Sequence, residues 1–501
     1  MNKFLKAMFC VTFFSVATRA LGFVLKIYLS RKLSTELLGS YQVAMSIFGV
    51  LMALVSSGIP IVLSRNVSFY HGQNNSKSIG SIVSSGLILT GIICVIVSGL
   101  VLLFPNLLNV MFTSPASSEM MVVLLPALIF SSIYEVLRGA LWGEKQFFAI
   151  SFTEFLEQIT RIIILVILFE TTFLDMSLTN KTALSLSLAC IISSIVVMFI
   201  YFLRGGKLAN PKFEFKNLVK TSTPITAVKT ASSVVSSIIA IIIPIRLMDY
   251  GFTEAEALSE FGIMMGMTFP LLMIPSTLIS SLAVTIIPSI SEQSNNIDSG
   301  NLKNTTALRS KINFSLRTTV VFSMLLMPVF ISLGIPICKF LFNNEKAGQY
   351  LTFASICMLP LGISQITSSI LNAIGLEIKS LKNYVVSALL LILSITILPR
   401  FIGTYALIVG YLLMSVSASI MNIFMLSKRN LVDYKFLKVA GTMIVITIVS
   451  AFVGCFVCKL LKNALILSIA IGGSLTMICT LALIVLFNVA DFKMILMRKK
   501  R

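Results

Sequence analysis

The stretch TFFSVATRALGFVLK, Thr12 to Lys26, reads as the middle of a lipid-spanning helix, yet it carries two cations, Arg19 and Lys26. Apolar residues continue to Leu29, which gives roughly the 20 residues a bilayer crossing needs. Lys3 and Lys6 precede the run as they would in a signal peptide, but Arg19 interrupts any small-residue cleavage region. The segment 7–29 is therefore expected to be an uncleaved first span. Thr12, Ser15, Arg19, Gly22 and Lys26 recur at spacings of three and four, which places them on one helical face. The opposite face is Phe, Val, Leu and Ile.

The rest of the chain supports a membrane setting. Of 501 residues 57% are hydrophobic and only 12% charged, with mean hydropathy +0.98. A soluble fold requires a polar skin that this composition does not supply. About fourteen apolar runs are long enough to span, from 7–29 to 465–488. The expected fold class is thus an all-α polytopic membrane protein, multi-pass in the cytoplasmic membrane. Thirty-nine Lys and Arg face nineteen Asp and Glu, a net +20. With both termini placed in the cytoplasm, the inside segments carry nearly all of this excess, as the positive-inside rule requires. The basic excess then belongs to loops beside an anionic inner leaflet, so nucleic acid is not an expected partner.

Two pairs of prolines hint at internal repetition. Pro60 and Pro288 end similar spans 228 positions apart, and Pro126 and Pro360 open similar spans 234 apart. Matched offsets point to two six-helix lobes, 1–203 and 222–426, joined by a cytoplasmic linker 204–221 and followed by two further spans in 440–488. An even number of spans per lobe makes both lobes insert the same way.

The seventh span repeats the polar design of the first. Ser222, Thr226, Lys229, Ser233 and Ser236 lie along one side of it, and the second span offers Gln42, Ser46 and Ser56. If spans one and seven both face a central crevice, Arg19, Lys26 and Lys229 share one cationic cavity. Other readings stand beside this. Lys26 is near a span end and can snorkel to the interface. Arg19 is at mid-span, where a charge costs roughly 2.5–3.5 kcal/mol unless water, an acid or an anion meets it. Glu135, Glu154 and Glu157 are the acids available as structural partners, although Glu157 and Arg161 already form an i,i+4 pair. Ser and Thr faces also serve simply as helix glue. Pro60, Pro224, Pro244, Pro270, Pro275 and Pro288 each remove a backbone hydrogen bond and supply the hinge points that alternating access needs.

Enzyme chemistry finds little footing. His71 is the only histidine, which leaves no His-based metal site and no hydrolytic triad, and there is no Gly-rich phosphate loop. The eight cysteines lie in or beside apolar runs, unlike a disulfide framework. Cys455 and Cys458 read as two small residues on one helix face. No metal and no cofactor is expected.

Three stretches are similar to one known family: TRALGFVLKIYLSRKLSTELLGSYQVAMSIFGVLMALVSSGIPIVLSRNVS, then IIIPIRL followed by GFTEAEALSEFGIMMGMTFPLLMIPSTLISSLAVTIIPSISE, and LPLGISQITSSILNAIG. They resemble the stage V sporulation protein B family, which sits with polysaccharide exporters and MurJ-type lipid II flippases in the MOP superfamily. The resemblance implies a V-shaped pair of lobes and flipping of an undecaprenyl-diphosphate-linked saccharide, such as a peptidoglycan or spore-cortex precursor. Arg19 and Lys26 fall where lipid II flippases have basic residues in the first helix, and Arg246 falls on the basic position of the family's Pro-x-Arg-Leu segment. The chain departs from the flippase pattern in having no basic residue within spans two and eight. Expected substrate contacts are therefore Arg19, Lys26, Lys229 and Arg246, with cell-wall synthesis proteins as further partners. The alternatives are a MATE-type multidrug or cation antiporter and a non-transporting scaffold for wall synthesis.

Overall fold

A computed structural model describes residues 3–103, 114–171, 175–211, 214–295, 302–461, 464–487 and 489. Residues 212–213 of the expected linker and residue 488 of the last expected span lie outside them. The described chain is helical throughout, and no strand occurs among the described residues.

The first nine helices are α1 (Lys3–Lys32), α2 (Thr35–Ser56), α3 (Ile59–Gly72), α4 (Ser76–Leu103), α5 (Pro115–Gly143), α6 (Phe147–Glu170), α7 (Leu178–Leu203), α8 (Phe215–Asp249) and α9 (Glu254–Gly262). They form one compact unit, residues 1–262. The second unit, residues 263–501, opens with a π-helical segment, Ile263–Thr268, and a single turn, Phe269–Leu272. It continues through α10 (Ile274–Asn295), α11 (Leu302–Leu325), α12 (Met327–Phe342), α13 (Glu345–Ala354), α14 (Met358–Ala373), α15 (Glu377–Ile397), α16 (Tyr405–Ser427), α17 (Lys435–Leu460) and α18 (Gly473–Leu486). Division by packing thus keeps α8, the helix that opens the second half by repeat counting, with the first unit.

Thirteen helical stretches among the described residues are long and apolar enough to cross a membrane. α6 has the length as well, at 24 residues. Glu154, Glu157 and Arg161 fall in its middle, so any stretch of it long enough to span carries three charges, although its apolar residues match those of the other helices. It occupies the place of the expected fifth span. The longest stretch, Thr35–Gly72, is interrupted locally. Ser34 caps α2 by accepting from the Leu37 amide at 3.2 Å, and Gly58 with Pro60 at the next helix start divides the stretch into α2 and α3.

Each unit has its own interior. In the first, Ile59, Leu63 and Val67 of α3 meet Ile82 and Val83 of α4 and Val136 and Ala140 of α5. In the second, Ile312, Leu316 and Val320 of α11 pack with Ile366 and Ile370 of α14 and Met443 and Ile446 of α17. Large apolar side chains also cover the outside, among them Val95, Leu103, Phe452 and Val485. Such a surface suits hydrocarbon and not water.

A pocket floored by close helix approach

α3 and α5 come together where glycines allow it. A Cβ on Gly139 would lie 2.8 Å from the Pro60 carbonyl oxygen, and one on Gly143 would lie 2.6 Å from that of Ser64. α8 approaches the α2–α3 break in the same way, because a Cβ on Gly58 would stand 2.3 Å from Thr226 Oγ1 and 2.5 Å from the Ser222 carbonyl oxygen. Between these contacts lies a pocket of about 430 Å³ inside the first unit. Ser56, Ser57, Pro60 and Ser64 line it from α2 and α3, Glu135, Arg138 and Trp142 from α5, and Lys229 from α8.

Charge in the pocket is organised around Arg138. Its guanidinium donates to both oxygens of Glu135, one helical turn earlier, at 2.9 and 3.1 Å. Across to α6 it pairs with Glu154 at 2.7 Å. Its Nε is buried and has no acceptor among the described residues. Lys229 donates to the Ser57 carbonyl at 3.3 Å and meets no acid among the described residues.

The cations expected on α1 stand elsewhere. α1 rests on α6 through Phe14, whose ring lies 5.3 Å from that of Phe155, and it buries Leu25 and Leu29. Thr12, Arg19 and Lys26 fall on the exposed side, with Ser15 partly covered beside them. Arg19 makes no ion pair or side-chain hydrogen bond among the described residues, while Lys26 lies within electrostatic range of Arg161. Arg161 is buried and donates to the Tyr41 hydroxyl at 3.1 Å. Neither Arg19 nor Lys26 lines the pocket.

The remaining expected residues divide in the same way. Ser56 and Pro60 line the pocket and Thr226 stands beside it at Gly58, while Ser222 is buried at the same contact. Ser46 gives its carbonyl to the Ser237 hydroxyl at 2.7 Å, tying α2 to α8, and Gln42 is half-buried. Ser233 is partly covered and Ser236 is exposed. Arg246 is paired with Asp249 at 2.9 Å near the far end of α8. Seventeen residues of helix, about 26 Å, separate it from Lys229. Pro224 and Pro244 are both inside α8. Pro270 sits in the turn after the π-helical segment, and Pro275 and Pro288 lie in α10.

Arg138 is the residue that sequence reasoning missed. It stands near the end of its span and passes for one more inside cation under the positive-inside rule. Its spacing from Glu135 was a usable signal, since i,i+3 places the two on one face.

Comparison with known proteins fits this architecture. A family model described as polysaccharide biosynthesis protein matches residues 4–294. The stage V sporulation protein B of Bacillus subtilis (strain 168) is 26% identical over 304 residues, 58% of this chain and 58% of that protein. The chain therefore matches less than two-thirds of that relative's length. Among solved structures, the inward closed conformation of the lipid II flippase MurJ aligns with TM-score 0.70 at 17% identity, covering 95% of this chain and 98% of that one. The inward-facing conformation of a multidrug resistance MATE family transporter of the MOP superfamily aligns with TM-score 0.68 at 15% identity, covering 84% and 94%. The chain shares the all-α multi-pass fold of these two proteins. The chain belongs to the polysaccharide biosynthesis protein family.

Proposed function

We propose that this chain moves an undecaprenyl-diphosphate-linked saccharide across the cytoplasmic membrane by alternating access. One observation carries the reading. Glu135 and Glu154, two of the acids that sequence offered to Arg19, are both engaged by Arg138, while Arg19 and Lys229 meet no acid among the described residues. Cations on membrane helices without a protein counter-ion call for an anion supplied from outside. A diphosphate provides it, through charge-assisted hydrogen bonds. The polyprenyl tail stays in lipid while the saccharide follows the Ser and Thr faces of α1, α2 and α8. Pro224 and Pro244 let α8 bend as the two halves rock. In this reading both termini lie in the cytoplasm, which the excess of Lys and Arg in the inside segments supports.

A cation antiporter of the MATE type needs a free carboxylate on a cavity helix, and the first and seventh spans have none. The direct test is binding of undecaprenyl-diphosphate saccharides to the purified chain. Removing one charge-assisted contact costs about 1.5–3 kcal/mol, so Arg19→Ala should weaken binding roughly 10- to 150-fold and Arg19→Lys by less. Equal binding by the native chain and Arg19→Ala would overturn the reading.

A further inference from the structure

The cargo reading leaves the Glu135–Arg138–Glu154 cluster without a part to play. Two cations and two carboxylates sum to zero charge around Arg138, Lys229, Glu135 and Glu154, so a polyanion entering the pocket gains little net attraction from the site as it stands. The two carboxylates are not equivalent. Glu135 shares a helix with Arg138, lines the pocket and offers it both oxygens. Glu154 belongs to α6, lies outside the lining and holds one terminal nitrogen of Arg138 through a single oxygen at 2.7 Å. A carboxylate in that position occupies donors that fit a phosphate oxygen equally well.

We infer that Arg138 and Lys229 form a phosphate subsite in which the ligand displaces Glu154 from Arg138, and Glu154 then takes up one proton. This inference rests on the diphosphate cargo proposed above. The exchange breaks the Arg138–Glu154 ion pair and forms an Arg138–phosphate pair. Glu154 is left 30% exposed, beside the like charges of Glu135 and Glu157 and with no cation, and a carboxylate so placed takes up a proton from solution. The groups that face it are Glu135, Tyr134 and Arg138 from α5 and Glu157 from its own helix; Lys229 of α8 lines the pocket with Arg138. Tyr134 is held by Thr153 at 3.1 Å, and Glu157 adds a like charge. Neither offers Glu154 a replacement cation. The buried Nε of Arg138, which lacks an acceptor among the described residues, gives the guanidinium a further donor for the ligand. Anion and proton therefore enter together, and anion affinity falls as pH rises.

The test is calorimetric titration of the full-length chain in lipid nanodiscs with an undecaprenyl-diphosphate-linked disaccharide, whose diphosphate is esterified at both ends and does not itself titrate over the range used. It is run from pH 6 to pH 8 in two buffers that differ in protonation heat. Expected for the native chain is uptake of about one proton per ligand and, where the linked group titrates, a Kd that rises about tenfold per pH unit. Glu154→Gln should bind without proton uptake, with the pH slope gone and affinity at pH 8 raised to the native low-pH value. Glu157→Gln should keep the slope, which shows that a neutral amide on α6 is not itself the cause. Native binding that is independent of pH and free of proton uptake overturns the linkage alone. A full slope retained in Glu154→Gln does the same. Absence of native binding at every pH overturns the diphosphate cargo and this subsite together.

Discussion

Gly139→Ala adds one methyl group where α5 crosses α3. The new Cβ would meet the Pro60 carbonyl oxygen at 2.8 Å and Pro60 Cα at 2.9 Å. Ordinary contacts lie at about 3.5–4.0 Å, so the helices must separate by roughly half an ångström or more. Backbone atoms cannot turn aside as a flexible side chain does, and the proline ring fixes its own backbone further. Overpacking of this kind costs about 1–3 kcal/mol, against which alanine's helix preference returns about 0.5–1 kcal/mol. Gly99→Ala in α4 is the matched control, because nothing lies within 4 Å of its added Cβ. It should be stabilised by the helix preference alone. The two identical substitutions therefore differ by the overpacking cost, about 1–3 kcal/mol. Trp142 is the only tryptophan, lines the same pocket and packs edge-on against Phe147 at 5.5 Å. Its fluorescence during thermal unfolding in detergent reports the difference. Gly139→Ala unfolding together with Gly99→Ala would refute the close approach of α3 and α5.

Arg138→Ala should lower stability in the same assay by about 1–2 kcal/mol. Removing one partner of a fully buried bridge costs about 3–5 kcal/mol, and this one is reduced by solvent because Arg138 and Glu154 are 32% and 30% exposed. Adding Glu154→Gln to Arg138→Ala should recover part of the loss, a coupling that a double-mutant cycle measures. At the loop after α5, burial pushes the Glu144 carboxyl above its ordinary 4.5, with His71 and Arg204 pulling it partly back. The folded chain then holds the Glu144 proton more tightly than the unfolded chain does. Stability is lost as pH rises from 4.5 through the folded-state value, and the cost is fully present above it. Glu144→Gln should accordingly unfold later than the native chain at pH 7, and the advantage should vanish at pH 4.

Hydropathy and spacing made most of the architecture legible. The apolar runs mark the spans because hydrocarbon leaves no other place for them. The 3-4 spacing of Thr12, Arg19 and Lys26 puts them on one face of α1; all three are exposed, as are the apolar Phe13, Val16 and Val24. What stayed hidden was pairing between helices. Gly139 and Gly143 look like incidental small residues until Pro60 and Ser64 are known to lie against them. Arg138 reads as a loop-side cation until α6 brings Glu154 to it across a helix interface. Arg246, expected as a substrate contact on family resemblance, stands about 26 Å along α8 from Lys229 and pairs with Asp249. Local pattern fixes which face of a helix is polar, whereas the partner of that face depends on tertiary packing.

In the proposed transport cycle Arg19 meets the anionic head of a lipid-linked saccharide. The direct measurement is translocation of a fluorescent undecaprenyl-diphosphate saccharide in proteoliposomes, comparing the native chain, Arg19→Lys and Arg19→Ala at equal protein incorporation. Transport by the native chain, partial transport by Arg19→Lys and none by Arg19→Ala is the expected result. Full transport by Arg19→Ala would show that Arg19 does not hold the cargo's charge.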